Sequence, residues 1–260
     1  MKIEKNDRLI LITNDDGLYA EGLSTLIDAM QEFGKLVVVS TIDSRSGMSQ
    51  ALTVKMPIRV KLLKETDRKR IYACSGTPTD GVKIAVNQLL EREPDWVVSG
   101  INHGSNASVS VIYSGTMAAA IEGCLYGIDS VGFSLNNFSS EADFSHTKKY
   151  VREIMNMLEK NKLPKGVCLN VNIPSVHGNG IRGIKVCRQA RGNWREEFEK
   201  RKDPMGKSYY WLTGIFQNHE PESEDTDEWA LSNNYVSVVP VSVDMTAHNY
   251  IGELEKQIGK

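Results

Sequence analysis

Apolar runs and amphipathic stretches alternate along the first 140 residues. Arg8–Thr13 is a continuous apolar, β-branched run, and the Gly-bounded stretch Leu23–Phe33 after it is amphipathic. Lys35–Ser40, with Leu-Val-Val-Val at its centre, reads as a second strand. Between Asp80 and Glu91, the residues Val82, Ala85, Val86 and Leu89 recur at i, i+3, i+4 and i+7, the spacing of one helix face. Asp95–Ser99 reads as strand, the Ala-rich Thr116–Tyr126 as helix, and Ser130–Leu135 as strand again. Strands that are apolar throughout are buried on both faces, as in a parallel sheet covered by helices. The prediction is an α/β fold whose ligands bind beyond the carboxyl ends of the strands.

Past Asn136 the pattern changes. A helix over His146–Lys160 and a strand over Val167–Asn172 are followed by shorter β-like runs at Ile184–Arg188, Ser208–Thr213 and Tyr235–Val241. Thr246–Gly259 reads as a terminal helix. The chain therefore divides into an α/β core over residues 1–182 and an extension of hairpins and a terminal helix over 183–260, which is not an independent domain. Glu220–Glu228 carries six acids in nine residues and reads as a solvated loop.

Composition narrows the partners. With 31 basic and 33 acidic side chains among 260 residues the formal charge is −2, and 40% of the residues are hydrophobic. That is ordinary globular composition, which excludes wholesale disorder and fibrous classes. Near-neutral charge argues against a nucleic-acid polymer as partner, since neutralising phosphates needs a Lys/Arg excess. A small anionic substrate remains open. The charged start Met1–Lys5 and the short run Leu9–Ile12 do not form a secretory segment, and no apolar stretch approaches the length of a membrane span. A cytoplasmic protein without membrane contact is expected. Cys74, Cys124, Cys168 and Cys187 are widely separated, without a CxxC pair, and read as buried apolar residues.

The strand ends carry the candidate chemistry. The first leads into Thr13-Asn14-Asp15-Asp16-Gly17. Two readings stand: a turn with a helix N-cap, or paired carboxylates gathered around a hard divalent cation. The second leads into a hydroxyl-rich loop, Thr41–Ser49, that contains Arg45 and Ser46. The strand at Asp95–Ser99 leads into Gly100-Ile101-Asn102-His103-Gly104-Ser105-Asn106, which offers amide oxygens to a metal and donors to a substrate. His103 is a candidate general base or a bystander. Ser114-Gly115-Thr116 opens the Ala-rich helix, either as an anion site on its free N–H groups or as an ordinary cap. Ser75–Gly81 opens the preceding helix in the same way. Together these ends read as a metal-assisted phosphate ester hydrolase.

Other motifs fail on context. Gly178–Gly183 matches GxGxxG, but β-like Ile184–Cys187 stands where the dinucleotide fingerprint needs a helix. Gly206-Lys207-Ser208 lacks the upstream Gly of a P-loop, and no GxSxG elbow occurs. Asn14-Asp15-Asp16 does not supply the Asp-x-Asp of phospho-aspartyl phosphatases.

The segments Thr13–Gly17, Arg45–Gly47, Gly76–Asp80, Ser99–Asn102 with Gly104 and Asn106, Tyr113–Thr116 and Val243–His248 resemble the SurE (survival protein E) family of metal-dependent 5′/3′-nucleotidases. The likeness is close over residues 8–136 and looser beyond. It implies a Rossmann-like, mainly parallel sheet between helices, with a β-rich C-terminal part used in homodimer or homotetramer contacts. It further implies one divalent metal ion per subunit, Mg²⁺ or Mn²⁺, held by Asp15, Asp16, Ser46 and Asn102. Asp15, Asp16 and Asn102 would be catalytic. Asn14, Asn106, Ser114, Gly115 and Thr116 would meet the phosphate of a nucleoside monophosphate. Glu21 departs from the family's usual Pro, and His103 and Ser105 occupy variable slots. A broader phosphatase or exopolyphosphatase, and a nucleotide-sensing protein without catalysis, are the alternatives. The segment Gly192–Trp229 is where substrate preference is expected to vary.

Overall fold

The computed structural model describes residues 1–4, 6–175 and 180–259. In chain order the first half holds β1 (Leu9–Thr13), α1 (Glu21–Met30), β2 (Lys35–Thr41), β3 (Val60–Glu65), β4 (Lys69–Cys74) and α2 (Pro78–Ile84). Then come a π-helical turn at Ala85–Leu89, β5 (Trp96–His103), α3 (Ser110–Tyr113), α4 (Gly115–Leu125), β6 (Asp129–Asn136), α5 (Thr147–Lys160) and β7 (Val167–Pro174). The remainder holds β8 (Gly183–Val186), β9 (Gly192–Arg195), β10 (Phe198–Lys202), β11 (Ser208–Leu212), β12 (Ile215–Asn218), α6 (Asp227–Ser232), β13 (Tyr235–Ser242) and α7 (His248–Gln257).

Nine strands form one sheet in the order β3-β4-β2-β1-β5-β6-β7-β13-β8. The pairings from β4 through β7 are all parallel, as the continuous apolar runs predict. β1 shows why both faces need cover. Ile10 and Ile12 pack with Leu23 and Leu26 of α1 and Val151 and Ile154 of α5, while Leu9 and Leu11 pack with Val82 of α2 and Ala119 of α4. Successive side chains of a strand point to opposite faces, and burying each large aliphatic contributes about 1.5–3 kcal/mol. β1 therefore lies at the centre of both layers, and its carboxyl end opens at the middle of the sheet edge.

Several elements differ from expectation. The helix read over Asp80–Glu91 starts at Pro78, behind a reciprocal Thr77/Asp80 cap, and ends in the π-turn. The β3–β4 hairpin was not expected. β3 is an edge strand, largely exposed, and Lys61, Lys64, Lys69 and Arg70 break any apolar pattern. Beyond residue 183, β13 inserts antiparallel against β7 and parallel to β8, so this part of the chain supplies two strands of the central sheet. Gly178 and Asn179 of the GxGxxG match lie outside the described residues, and Gly183–Val186 is a strand where the fingerprint needs a helix.

The acidic run is only partly a solvated loop. Glu220 and Asp225 pair with Arg188 at the surface, but α6 begins inside the run, capped by the Thr226 hydroxyl. Asp227 is buried and accepts N–H bonds from Ser108, Ala190 and Glu228. A carboxylate can enter the interior where backbone donors satisfy it.

β9–β12 make an arm. Arg195 lies opposite Ile215 and Phe198 opposite Leu212, so the two short pairings share one antiparallel register and form one ribbon. Phe198, Tyr210, Trp211, Leu212 and Ile215 are exposed along it, and no residue of α7 is buried. Among the described residues no helix is long and apolar enough to cross a membrane.

Candidate metal and phosphate site

Asp15 follows the central strand directly, and its carboxylate sits against the start of α4. Thr116 Oγ1 donates to Asp15 Oδ1 at 2.5 Å. Burial raises the Asp15 carboxyl, and the Thr116 hydroxyl and the backbone N–H groups of Thr116 and Gly115 offset this only in part. Gly115 is required by this approach, because a Cβ there would lie 2.8 Å from Asp15 Oδ2. The free N–H groups of the helix start are thus turned on the chain's own carboxylate. That differs from the expectation that Ser114, Gly115 and Thr116 all face phosphate. Gly115 and Thr116 hold Asp15, and of the three only Ser114, which caps Met117 N–H at 3.0 Å, lines the adjoining cleft.

Asn102 reaches the same place from β5. Gly100, at φ +121°, lets the strand shift register against β6 between Ser99 and Asn102, and any Cβ on it would strike Phe133 O. Asn102 Nδ2 donates to Gly104 O at 2.7 Å, which fixes the amide with Oδ1 beside Thr116 Oγ1 at 3.4 Å. Asp15 and Asn102 therefore share one hydroxyl.

Asp16 follows on the same turn and lines a second cleft. Its Oδ2 accepts the His103 backbone N–H at 2.9 Å, and burial together with the charge of Asp15 pushes its carboxyl up to about 6. Ser46 joins the two clefts. It lines a cleft of about 410 Å³ with Asp16 and a cleft of about 620 Å³ with Asp15 and Asn102, and His103 also lines both. The Arg45 N–H donates to Asp15 O at 2.6 Å and ties this loop to the β1 end. The Ser46 hydroxyl is exposed, 2.9 Å from that of Ser44.

Asn14 lies one step back. Its Nδ2 donates to Gly17 O at 2.8 Å and its Oδ1 accepts from Ser40 Oγ at 2.7 Å. Both amide groups are engaged in shaping the turn, so Asn14 positions the two aspartates. Asn106 lines the larger cleft, with Nδ2 on Ser134 Oγ and its backbone N–H on Asn172 Oδ1. The His103 ring bonds Ser139 O through Nε2 at 2.5 Å.

The residues fit a hard divalent cation. Two partly or fully buried carboxylates raise each other's electrostatic cost unless a positive charge lies between them. Ser46 and Asn102 add neutral oxygens, and the set contains no sulfur or imidazole donor, which suits Mg²⁺ or Mn²⁺ better than Zn²⁺.

Sequence reasoning missed part of the lining of the larger cleft. Tyr113, Phe138, Trp194 and Leu212–Gly214 line it. The arm residues fall within Gly192–Trp229, where substrate preference was expected to vary, but no motif singles out any one of them.

Fold and site together define an α/β protein with carboxylate, hydroxyl and amide oxygens gathered at its central strand ends beside a cleft. The sequence profile described as "Survival protein SurE" matches residues 10–196. The chain belongs to the SurE family. It is 51% identical over 254 residues to "5'-nucleotidase SurE" of Christiangramia forsetii, covering 97% of each chain. It is 52% identical over 255 residues to "5'-nucleotidase SurE" of Flavobacterium johnsoniae, covering 98% of this chain and 97% of that one. The crystal structure of the SurE protein from Aquifex aeolicus superposes with a TM-score of 0.83 at 34% identity, covering 96% of this chain and 99% of that one.

Proposed function

We propose that this protein is a metal-dependent nucleotidase that hydrolyses nucleoside 5′- and/or 3′-monophosphates to nucleoside and phosphate. The observation that carries this reading is Asp15, buried on the α4 start beside Asn102, at the floor of a cleft sized for a nucleotide. The name 5'-nucleotidase, printed for relatives at about half identity, supports the substrate class.

Asp15, Asp16, Ser46 and Asn102 would hold one Mg²⁺ or Mn²⁺ per subunit. When bound, such an ion polarises phosphoryl oxygens and lowers the pKa of a coordinated water. The remaining work falls to the chain. Ser114 and Asn106 line the floor where phosphate oxygens would lie, so catalysis rests on positioning and electrostatics. Burial raises the carboxyls of both Asp15 and Asp16, Asp16 to about 6, so either would serve as the proton acceptor for the attacking water. The exposed apolar arm and α7 support assembly into a homodimer or homotetramer, and the cytoplasm is the expected compartment.

The test is phosphate release from a panel of 5′- and 3′-nucleoside monophosphates and short polyphosphates, after chelation and after adding back Mg²⁺ or Mn²⁺. The reading expects release from the monophosphates only when metal is restored. Release from polyphosphate alone would favour an exopolyphosphatase; nucleotide binding without release would favour a sensor.

A further inference from the structure

The larger cleft is lined by two kinds of group: the polar residues Asp15, Asn102, Asn106 and Ser114, and two aromatic residues, Phe138 and Trp194. Phe138 is 71% exposed, yet its ring is seated on Gly104, where any Cβ would collide with it. Gly104 adopts φ +106°, so the loop that presents Asn102 also provides the platform for this ring. A ring held on a site loop and exposed over most of its surface is accessible to a ligand in the cleft.

Trp194 belongs to the root of the arm. It is half-buried, with its ring edge-to-face on Phe216 at 5.8 Å and 64°. Gly214, at φ +130°, lies close to the opposite strand, since a Cβ there would be 3.1 Å from Arg195 O, with Trp194 Cε3 in ordinary contact at 3.5 Å. The root itself is tied to the site. Asp227 accepts from Ser108 N at 2.8 Å and from Ala190 N at 2.9 Å, and Ser108 Oγ donates to Ala190 O at 2.9 Å. The Trp194 wall is thereby held against the loop that follows Asn106.

We propose that Phe138 and Trp194 are the stacking walls for the base of the nucleotide, which makes the arm root part of the substrate site; this rests on the nucleotidase reading. A volume of about 620 Å³ falls within the ~300–1,000 Å³ range of small-molecule sites. Stacking accepts every base because each has a π-face, and it favours the larger purine rings. The expected preference is for purine over pyrimidine monophosphates.

Trp194→Ala and Phe138→Ala are assayed with a purine monophosphate and with ribose 5-phosphate, which has no base. KM for the purine nucleotide should rise about fivefold or more in each variant, the range found for lost base–aromatic stacks. kcat and all parameters for ribose 5-phosphate should stay near wild type, and Trp194→Phe should retain nucleotide KM. Independently of turnover, adenosine monophosphate should quench the emission that distinguishes wild type from Trp194→Phe, while ribose 5-phosphate should not. Equal KM changes for the two substrates, or no base-dependent quench, would overturn the stacking site. A wild type that releases no phosphate from any nucleotide, yet shows the quench, would overturn the nucleotidase reading and leave the stacking site standing.

Discussion

Asp15 and Thr116 are separated by 101 residues in sequence, yet Thr116 Oγ1 lies 2.5 Å from Asp15 Oδ1 and 3.4 Å from Asn102 Oδ1. One buried hydroxyl thus touches two of the four oxygen donors proposed for the metal. Removing it in Thr116→Val keeps the side-chain volume and takes the side-chain donor from Asp15 Oδ1, while Asn102 stays held by Gly104 O. Metal affinity, measured by calorimetric titration, should fall roughly 10–100-fold, the range for partners that orient metal ligands. An unchanged affinity would show that the hydroxyl does not order the site.

Gly115→Ala places a Cβ 2.8 Å from Asp15 Oδ2 and 2.9 Å from its Cβ. Neither the central strand nor the start of α4 can move without disturbing the layers packed on β1. The variant should lose about 1–3 kcal/mol of stability, as overpacked interiors do, together with most metal binding. Denaturant unfolding and metal titration of the same sample read both effects.

Much of this was legible in the sequence, for a physical reason. The apolar runs at Leu9–Ile12, Leu36–Val39 and Trp96–Val98 are the buried parallel strands, and Asp15, Ser46 and Asn102 follow them in turn. Where burial is two-sided, the pattern is unambiguous. What stayed hidden depends on partners distant in sequence. Nothing local marks Thr116 as the hydroxyl donor to Asp15, or Asp227 as the one buried carboxylate within an acidic run. The arm was half read, because Phe198–Lys202 is exposed throughout and Gly192–Arg195 has a single apolar residue, so neither shows an apolar alternation. The family resemblance implied Asn14 as a phosphate contact, whereas its amide is engaged inside the turn.

Asp227→Asn removes the charge and replaces one acceptor oxygen by a donor that faces backbone N–H groups. A buried donor left without a partner costs about 1–3 kcal/mol, so the variant should melt several degrees lower. If Asp227 holds the arm root as described, nucleotide KM should also rise while the ribose 5-phosphate KM does not.

Glu228 supplies the pH prediction. Burial and the neighbouring charge of Asp227 push its carboxyl up from 4.5 to about 7. Between those values the folded chain keeps a proton that the unfolded chain has released, so stability should decline as pH rises from 4.5 to about 7 and level off above. Glu228→Gln should flatten that slope and raise the melting temperature at pH 8. Parallel slopes for the two proteins would refute the assignment.

The central claim is that Asp15 anchors a metal on which phosphate ester hydrolysis depends. Its most direct measurement is phosphate release from adenosine monophosphate at saturating Mn²⁺ by wild type and by Asp15→Asn, a substitution that preserves shape and removes charge. The account predicts a loss of at least about 100-fold with the fold intact by circular dichroism. Equal rates in the two proteins would contradict it.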